Sequence, residues 1–187
     1  SGLLHAHPEG YTFGDHLTLQ EFLAALYLVK NRYGQDRVDF LKAHAGQSWW
    51  REVVLLMAGS LLKQSRQAQV FLLKELGDLP GEDETHAYGL AWAGQALLEI
   101  PERRAGWHAG ARDLLARRLV DVLRGNPSRR NPPQTSVAAR VEAGDVLGRL
   151  GDPRFSGDLC LPEFIPLTGG EFPMGSTEEE VARVVEA

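Results

Sequence analysis

Six stretches of this chain repeat apolar residues at intervals of three and four, each ends on a local stop, and no strand-like alternation separates them. That pattern excludes most architectures other than packed helices, because the 3.6-residue period puts such residues on one helical face. The first stretch runs from Leu17 to Tyr33, with Leu19, Phe22, Leu23, Leu26, Tyr27 and Val29 as its stripe. Thr18 and Glu21 form a capping-box pattern at its start, a hydroxyl and a carboxylate serving the free N–H groups of the first turn. The second, Ser48 to about Gln64, carries Trp49, Trp50, Val53, Val54, Leu56, Met57, Leu61 and Leu62, a face broad enough to predict deep burial. The third covers about Gln67 to Leu76 and stops at Gly77, where a left-handed C-terminal position would suit glycine, with Pro80 just beyond.

The fourth helix is expected from Glu82 or Asp83 to Glu99, closed by Ile100-Pro101, and the fifth from about Ala109 to Leu123, closed by Gly125-Asn126-Pro127. Three prolines and two arginines make 125–135 an exposed loop. The sixth spans Ser136 to Leu150, with Val137, Val141, Val146, Leu147 and Leu150 inward and Gly151-Asp152-Pro153 as the exit turn. Small residues Ala138, Ala139, Ala143 and Gly144 permit close helix approach there. Ahead of the helices, Tyr11-Thr12-Phe13 reads as a short strand with Leu3-Leu4 as its partner. After them, Phe164 to Leu167 and Glu171 to Gly175 read as two strands around the Thr168-Gly169-Gly170 turn. The expected fold class is mainly α: antiparallel helical pairs in a HEAT-like α-solenoid, with a short β segment at each end.

The 187 residues include 20 Lys+Arg and 25 Asp+Glu, a net charge of −5, which argues against a nucleic-acid partner needing a basic surface. At 43% hydrophobic and 24% charged, the chain can bury a substantial core without disulfides or a structural metal. Its single cysteine, Cys160, fits a reducing compartment. No apolar run approaches the roughly 20 residues that cross a bilayer, so no membrane partner is expected. No basic stretch followed by an apolar run occurs near Ser1, so neither a secretory signal nor a setting other than the cytoplasm is expected. The amphipathic pattern of Glu178 to Ala187 breaks off, as in a piece of a longer protein.

Chemistry-bearing patterns are sparse. No G-x-x-x-x-G-K-[ST] loop occurs, and the Gly89 to Gly94 stretch has no lysine to neutralise phosphate. His5-x-His7 would place two imidazoles on one strand face, two short of a metal site, and no metal is expected. Asp15-His16 could orient an imidazole, but no matching Ser or Cys nucleophile can be picked out, so no catalytic residue is assigned. Glu82-Asp83-Glu84 fits the favourable dipole at a helix start. Arg103-Arg104, Arg117-Arg118 and Arg129-Arg130 read as a solvated face, and Trp49, Trp50, Trp92 and Trp107 as core.

Two segments resemble known families. Tyr11-Thr12-Phe13-Gly14-Asp15-His16-Leu17-Thr18-Leu19-Gln20-Glu21-Phe22-Leu23-Ala24-Ala25 resembles the F-x-H-x-[TS]-F-Q-E-[FY]-x-A-A signature near the end of the winged-helix part of NACHT-type STAND NTPases. One extra residue separates Phe13 from His16, and Leu19 stands where that family carries an aromatic. The resemblance implies that His16 reaches the phosphate of a nucleotide held, as ATP or ADP with Mg, by the full-length parent. This chain alone would carry no cofactor. Independently of that family, a histidine at a helix mouth lies where anions bind.

Glu163-Phe164-Ile165-Pro166-Leu167-Thr168-Gly169-Gly170-Glu171-Phe172-Pro173-Met174-Gly175-Ser176 is similar to the opening I-P-x-G-x-F-x-M-G-S of formylglycine-generating-enzyme-like domains, which have a C-type-lectin-like fold. Those domains are far longer than the segment from Cys160 to Ala187, and Cys160 matches none of their redox cysteines. The resemblances imply a winged-helix end over 1–33, a helical HEAT-like region over 34–157 and a truncated formylglycine-enzyme-like start over 158–187. The implied role is a non-catalytic connector in a signalling or defence protein, with the upstream nucleotide-binding domain, a downstream sensor domain and other proteins as partners. Two alternatives stay open: a fragment of a formylglycine-generating-type oxidase, and a stand-alone helical-repeat scaffold.

Overall fold

A computed structural model of the chain describes residues 4–13, 17–80, 83–101, 109–124, 135–156, 161–162 and 169. It divides into two compact units, Ser1–Pro153 and Arg154–Ala187. The protein is mainly helical. In the first unit the described elements are strands β1 (Leu4–His7) and β2 (Gly10–Phe13), then α1 (Leu17–Asn31), α2 (Gly34–His44), α3 (Ser48–Gln64), α4 (Arg66–Gly77), α5 (Asp83–Leu98), α6 (Ala109–Arg124) and α7 (Val137–Leu150). β1 and β2 pair antiparallel, Leu4 opposite Phe13 and His7 opposite Gly10. The second unit contains β3 (Phe155–Ser156), antiparallel to β4 (Leu161–Pro162). The strands expected at 164–167 and 171–175 lie outside the described residues.

Helix ends follow local chemistry. Ser65 and Ser136 cap α4 and α7, accepting hydrogen bonds from the N–H groups of Ala68 at 3.0 Å and Ala139 at 3.2 Å. Gly151, at φ 99°, ends α7 and opens the turn the Gly-Asp-Pro sequence predicts. Two expectations need correction. Helix α1 already includes Leu17, so Thr18 lies inside its first turn and does not cap it. Gly77 belongs to α4 and has no positive φ; its missing side chain makes room for Arg118 and Leu115 of α6.

The largest departure is α2, which sequence periodicity does not announce. Its apolar residues, Val38, Phe40 and Leu41, are too few to form a stripe, and only Leu41 is fully buried. Beside Leu41 in the core and the partly buried Val38 and Phe40, the helix is tied down by charge. Arg37, only 8% exposed, donates from Nε and Nη2 to the two carboxylate oxygens of Glu75 on α4, at 2.6 and 2.9 Å. A paired guanidinium and carboxylate offset each other's desolvation only while both are present.

The helices pack in two rows. Helix α1 lies on α3, α3 on α5 and α5 on α7, while α2 lies on α4, and Gly77 of α4 faces α6. Contacts of α3 with α4, α4 with α5, α5 with α6 and α6 with α7 join the rows. One continuous core results, running from Ala25, Leu28 and Val29 through Met57, Leu72, Leu90 and Trp92 to Leu119, Val146 and Leu150. Each large side chain in it contributes about 1.5–3 kcal/mol on burial.

Helix α5, a member of the first row, also touches α4 and α6 of the second and is rich in small residues. A Cβ at Gly89 would lie 2.3 Å from the backbone oxygen of Leu76, and one at Gly94 would lie 2.6 Å from Val146 Cγ1 and 3.0 Å from Leu150 Cδ1. Neither position leaves space for a methyl group. The apolar faces of α1, α3 and α7 are narrower than the sequence suggests. Phe22, Leu23, Tyr27, Trp49, Val137 and Val141 are exposed, while Ala25, Ala58, Ala139 and Ala143 take inward positions. Trp49 is therefore surface, not core.

Gly89→Ala and Gly94→Ala should each destabilise the fold by about 1–3 kcal/mol through overpacking, Gly89 the more because its neighbour is backbone. Gly59→Ala and Gly148→Ala, whose Cβ atoms meet nothing within 4 Å, should stabilise by about 0.5–1 kcal/mol. Urea denaturation of the four variants checks the ordering. In the same assay Glu75→Ala, which strands Arg37, should cost about 3–5 kcal/mol. Asp36→Ala, which breaks the exposed Arg32–Asp36 pair, should cost about 1 kcal/mol or less.

Candidate functional site

Three helices each contribute one turn to a cavity of about 310 Å³ whose walls carry both charged and apolar groups. Helix α3 provides Ser48 and Arg51, α5 provides Tyr88 and Trp92, and α7 provides Ala138 and Glu142; Gly46 completes the lining. The spacings are three, four and four residues, so each pair stands on a single helical face. The loop between α2 and α3 closes against it through Gly46, which has φ 85° and no room for a side chain. A Cβ there would lie 2.7 Å from the Tyr88 ring.

Glu142 is the chemically unusual member. The residue is half-buried, and its Oε1 is shielded from solvent without a hydrogen-bond partner. Burial pushes the carboxyl above its ordinary range, against the nearby positive charge of Arg51 and a hydrogen bond with Trp92, while Asp145 pushes it further up. Arg51 is exposed, whereas Trp92 is 1% exposed and anchors the inner wall in the core. The cavity thus places a cationic group on α3 opposite a carboxylate on α7 that is short of a donor.

A second depression, apolar and about 170 Å³, lies between α1 and α3, lined by Leu17, Gln20, Glu21, Ala24, Trp49, Trp50 and Val53. Trp49 is 69% exposed at its rim. Trp50 is edge-on to Phe40 at 5.1 Å and to His44 at 4.6 Å, and the latter two stack at 4.3 Å. His44 Nδ1 lies 2.8 Å from the Phe40 carbonyl oxygen, a contact that requires the proton on Nδ1.

The sequence-derived candidates are placed unevenly. His16, with Asp15, lies outside the described residues, as do His108, Cys160, Trp107, Glu82 and the Arg103-Arg104 and Arg129-Arg130 pairs. The backbone of β1 includes His5 and His7, whose side chains are outside the described set. Glu84 does more than complement a helix dipole: it accepts a hydrogen bond of 2.7 Å from Ser136 Oγ, tying α5 to the cap of α7. Arg118 is not a free cation on a solvated face. It donates to the Gly77 carbonyl at 2.7 Å and to Asp78 at 2.8 Å, closing the end of α4, and lies 3.4 Å from His86 Nε2. Arg112 serves α7 in the same way, donating to the Leu150 carbonyl at 2.8 Å.

Sequence reading missed Glu142, Arg51 and Tyr88. The available signal was weak: Glu142 stands beside the inward stripe of α7, next to Ala143 and Ala139, at the border of the buried face. Among the described residues no three His, Cys, Asp or Glu side chains gather as a metal site, and no helix is long and apolar enough to cross a membrane.

The raised pKa of Glu142 has a definite pH signature. Below 4.5, its ordinary value, both folded and unfolded states hold the proton and no penalty exists. As pH rises from there to the higher folded value, the unfolded chain ionises first and the native state loses stability, a loss complete above the folded pKa. Glu142→Gln removes this loss. The variant should melt at or above the wild-type temperature at pH 7, with the gap closing as pH is lowered towards 4. A wild type that gains stability relative to the variant as pH rises would contradict this assignment.

No family model matches the chain, and neither a curated protein nor a solved structure shows significant similarity to it.

Proposed function

We propose that the chain is a non-catalytic helical connector of a NACHT-type STAND NTPase in cytoplasmic signalling or defence. Its helices are read as antiparallel pairs in a HEAT-like solenoid with a short β segment at each end. The observation that carries the mechanical part is the row α1, α3, α5, α7 sharing one core, with α5 wedged at Gly89 and Gly94. Helices in such contact shift together, since close-packed interfaces switch between arrangements and do not deform continuously. A displacement applied beside α1 is thereby passed to α7.

The identity of the parent rests on the two motif resemblances. On this reading His16 contacts the phosphate of ATP or ADP held with Mg by the upstream domain, and residues 158–187 open a formylglycine-enzyme-like sensor domain. Release of the switch by that sensor is then relayed through the helices. A second reading, a helical scaffold for a protein partner, is favoured by the apolar depression beside α1 and the exposed ring of Trp49.

Calorimetry of this chain with ATP·Mg and with ADP·Mg should give no saturable heat, because the connector lacks the phosphate-binding loop; micromolar binding of either would overturn the reading. The natural coding sequence immediately upstream should encode a P-loop. If it does not, the scaffold reading takes over.

A further inference from the structure

We infer that the cavity between α3, α5 and α7 is a binding site for a small zwitterion, a free α-amino acid with an uncharged side chain. In this arrangement Glu142 accepts from the ammonium group and Arg51 holds the carboxylate. The inference does not depend on the connector reading.

Four observations select this ligand class. Glu142 lines the cavity from α7, and its carboxylate offers an ammonium group an acceptor of opposite charge. Arg51 lines the same space from α3 and adds positive charge that a lone cation would have to face. A lone anion would conversely face Glu142. A ligand bearing both charges leaves neither residue uncompensated. The volume, about 310 Å³, lies at the small end of the roughly 300–1,000 Å³ usual for ligand pockets, which suits a single amino acid better than a nucleotide. The remaining walls, Tyr88 and Trp92, offer aromatic surface to the ligand's side chain, and their positions are fixed by Gly46 and the core. A metal ion is a poorer fit, because one carboxylate beside an arginine is not a coordination set.

The test is titration calorimetry of the full chain at pH 7 with L-phenylalanine, L-leucine, L-methionine and L-glutamine separately. At least one should bind saturably at one per chain. For that amino acid, the decarboxylated amine and the deaminated acid should each bind about tenfold or more weaker. Glu142→Gln and Arg51→Met should lower its affinity by a similar factor while far-UV circular dichroism stays unchanged. Arg51 is exposed, so Arg51→Met keeps the test decisive even if Glu142→Gln perturbs folding. Failure of all four to bind below about 1 mM, binding indifferent to both variants, or an amine that binds as well as its amino acid would each overturn the proposal.

Discussion

The approach of α5 to the backbone of Leu76 is the contact on which the rest of the helical unit depends. With only 2.3 Å between the Leu76 oxygen and the place a Cβ would occupy at Gly89, the two chains meet at backbone distance. Gly94 repeats the arrangement against Val146 and Leu150. Two glycines about one and a half turns apart therefore let a single helix pack closely on α4 of the other row and on α7 of its own. The cost in helix propensity is about 1 kcal/mol for each glycine, recovered through the dispersion contacts of the packed leucines.

The same helix positions the cavity. Tyr88 and Trp92 alternate in sequence with the packing residues Gly89, Ala91 and Ala93, so the wedge that seats α5 also aims its aromatic face at α3 and α7. The polar groups around this core fall into two kinds. Arg37 with Glu75, and Arg112 and Arg118 with the carbonyl ends of α7 and α4, are matched donors and acceptors whose role ends with their own satisfaction. Glu142 differs, as does Gln69 on α4, since one side-chain oxygen of each is withdrawn from water without a donor. Native structures rarely leave a buried polar atom in that state, and of the two it is Glu142 that lines the cavity.

Where the sequence misled, the cause lay in contacts between helices. Phe22, Leu23, Tyr27, Val137 and Val141 satisfy the helical period as well as their neighbours do, yet they face out, because alanines and glycines carry the close contacts and large side chains are pushed aside. Helix α2 escaped notice because a salt bridge to a residue 38 positions away replaces an apolar stripe. Gly77 looked like a stop signal and proved to be a packing position beneath α6.

Periodicity and punctuation in the sequence determined six helices, nearly all their boundaries and the Gly151 exit turn, since these depend on dihedral preference and capping between residues a few positions apart. Which face of each helix is buried, the pairing of Arg37 with Glu75, the use of arginines as helix caps and the meeting of Arg51, Tyr88, Trp92 and Glu142 around one cavity were decided only in three dimensions. Those features join residues tens of positions apart. No local rule encodes the distance between two helices, which is set by the smallest side chains at their crossing.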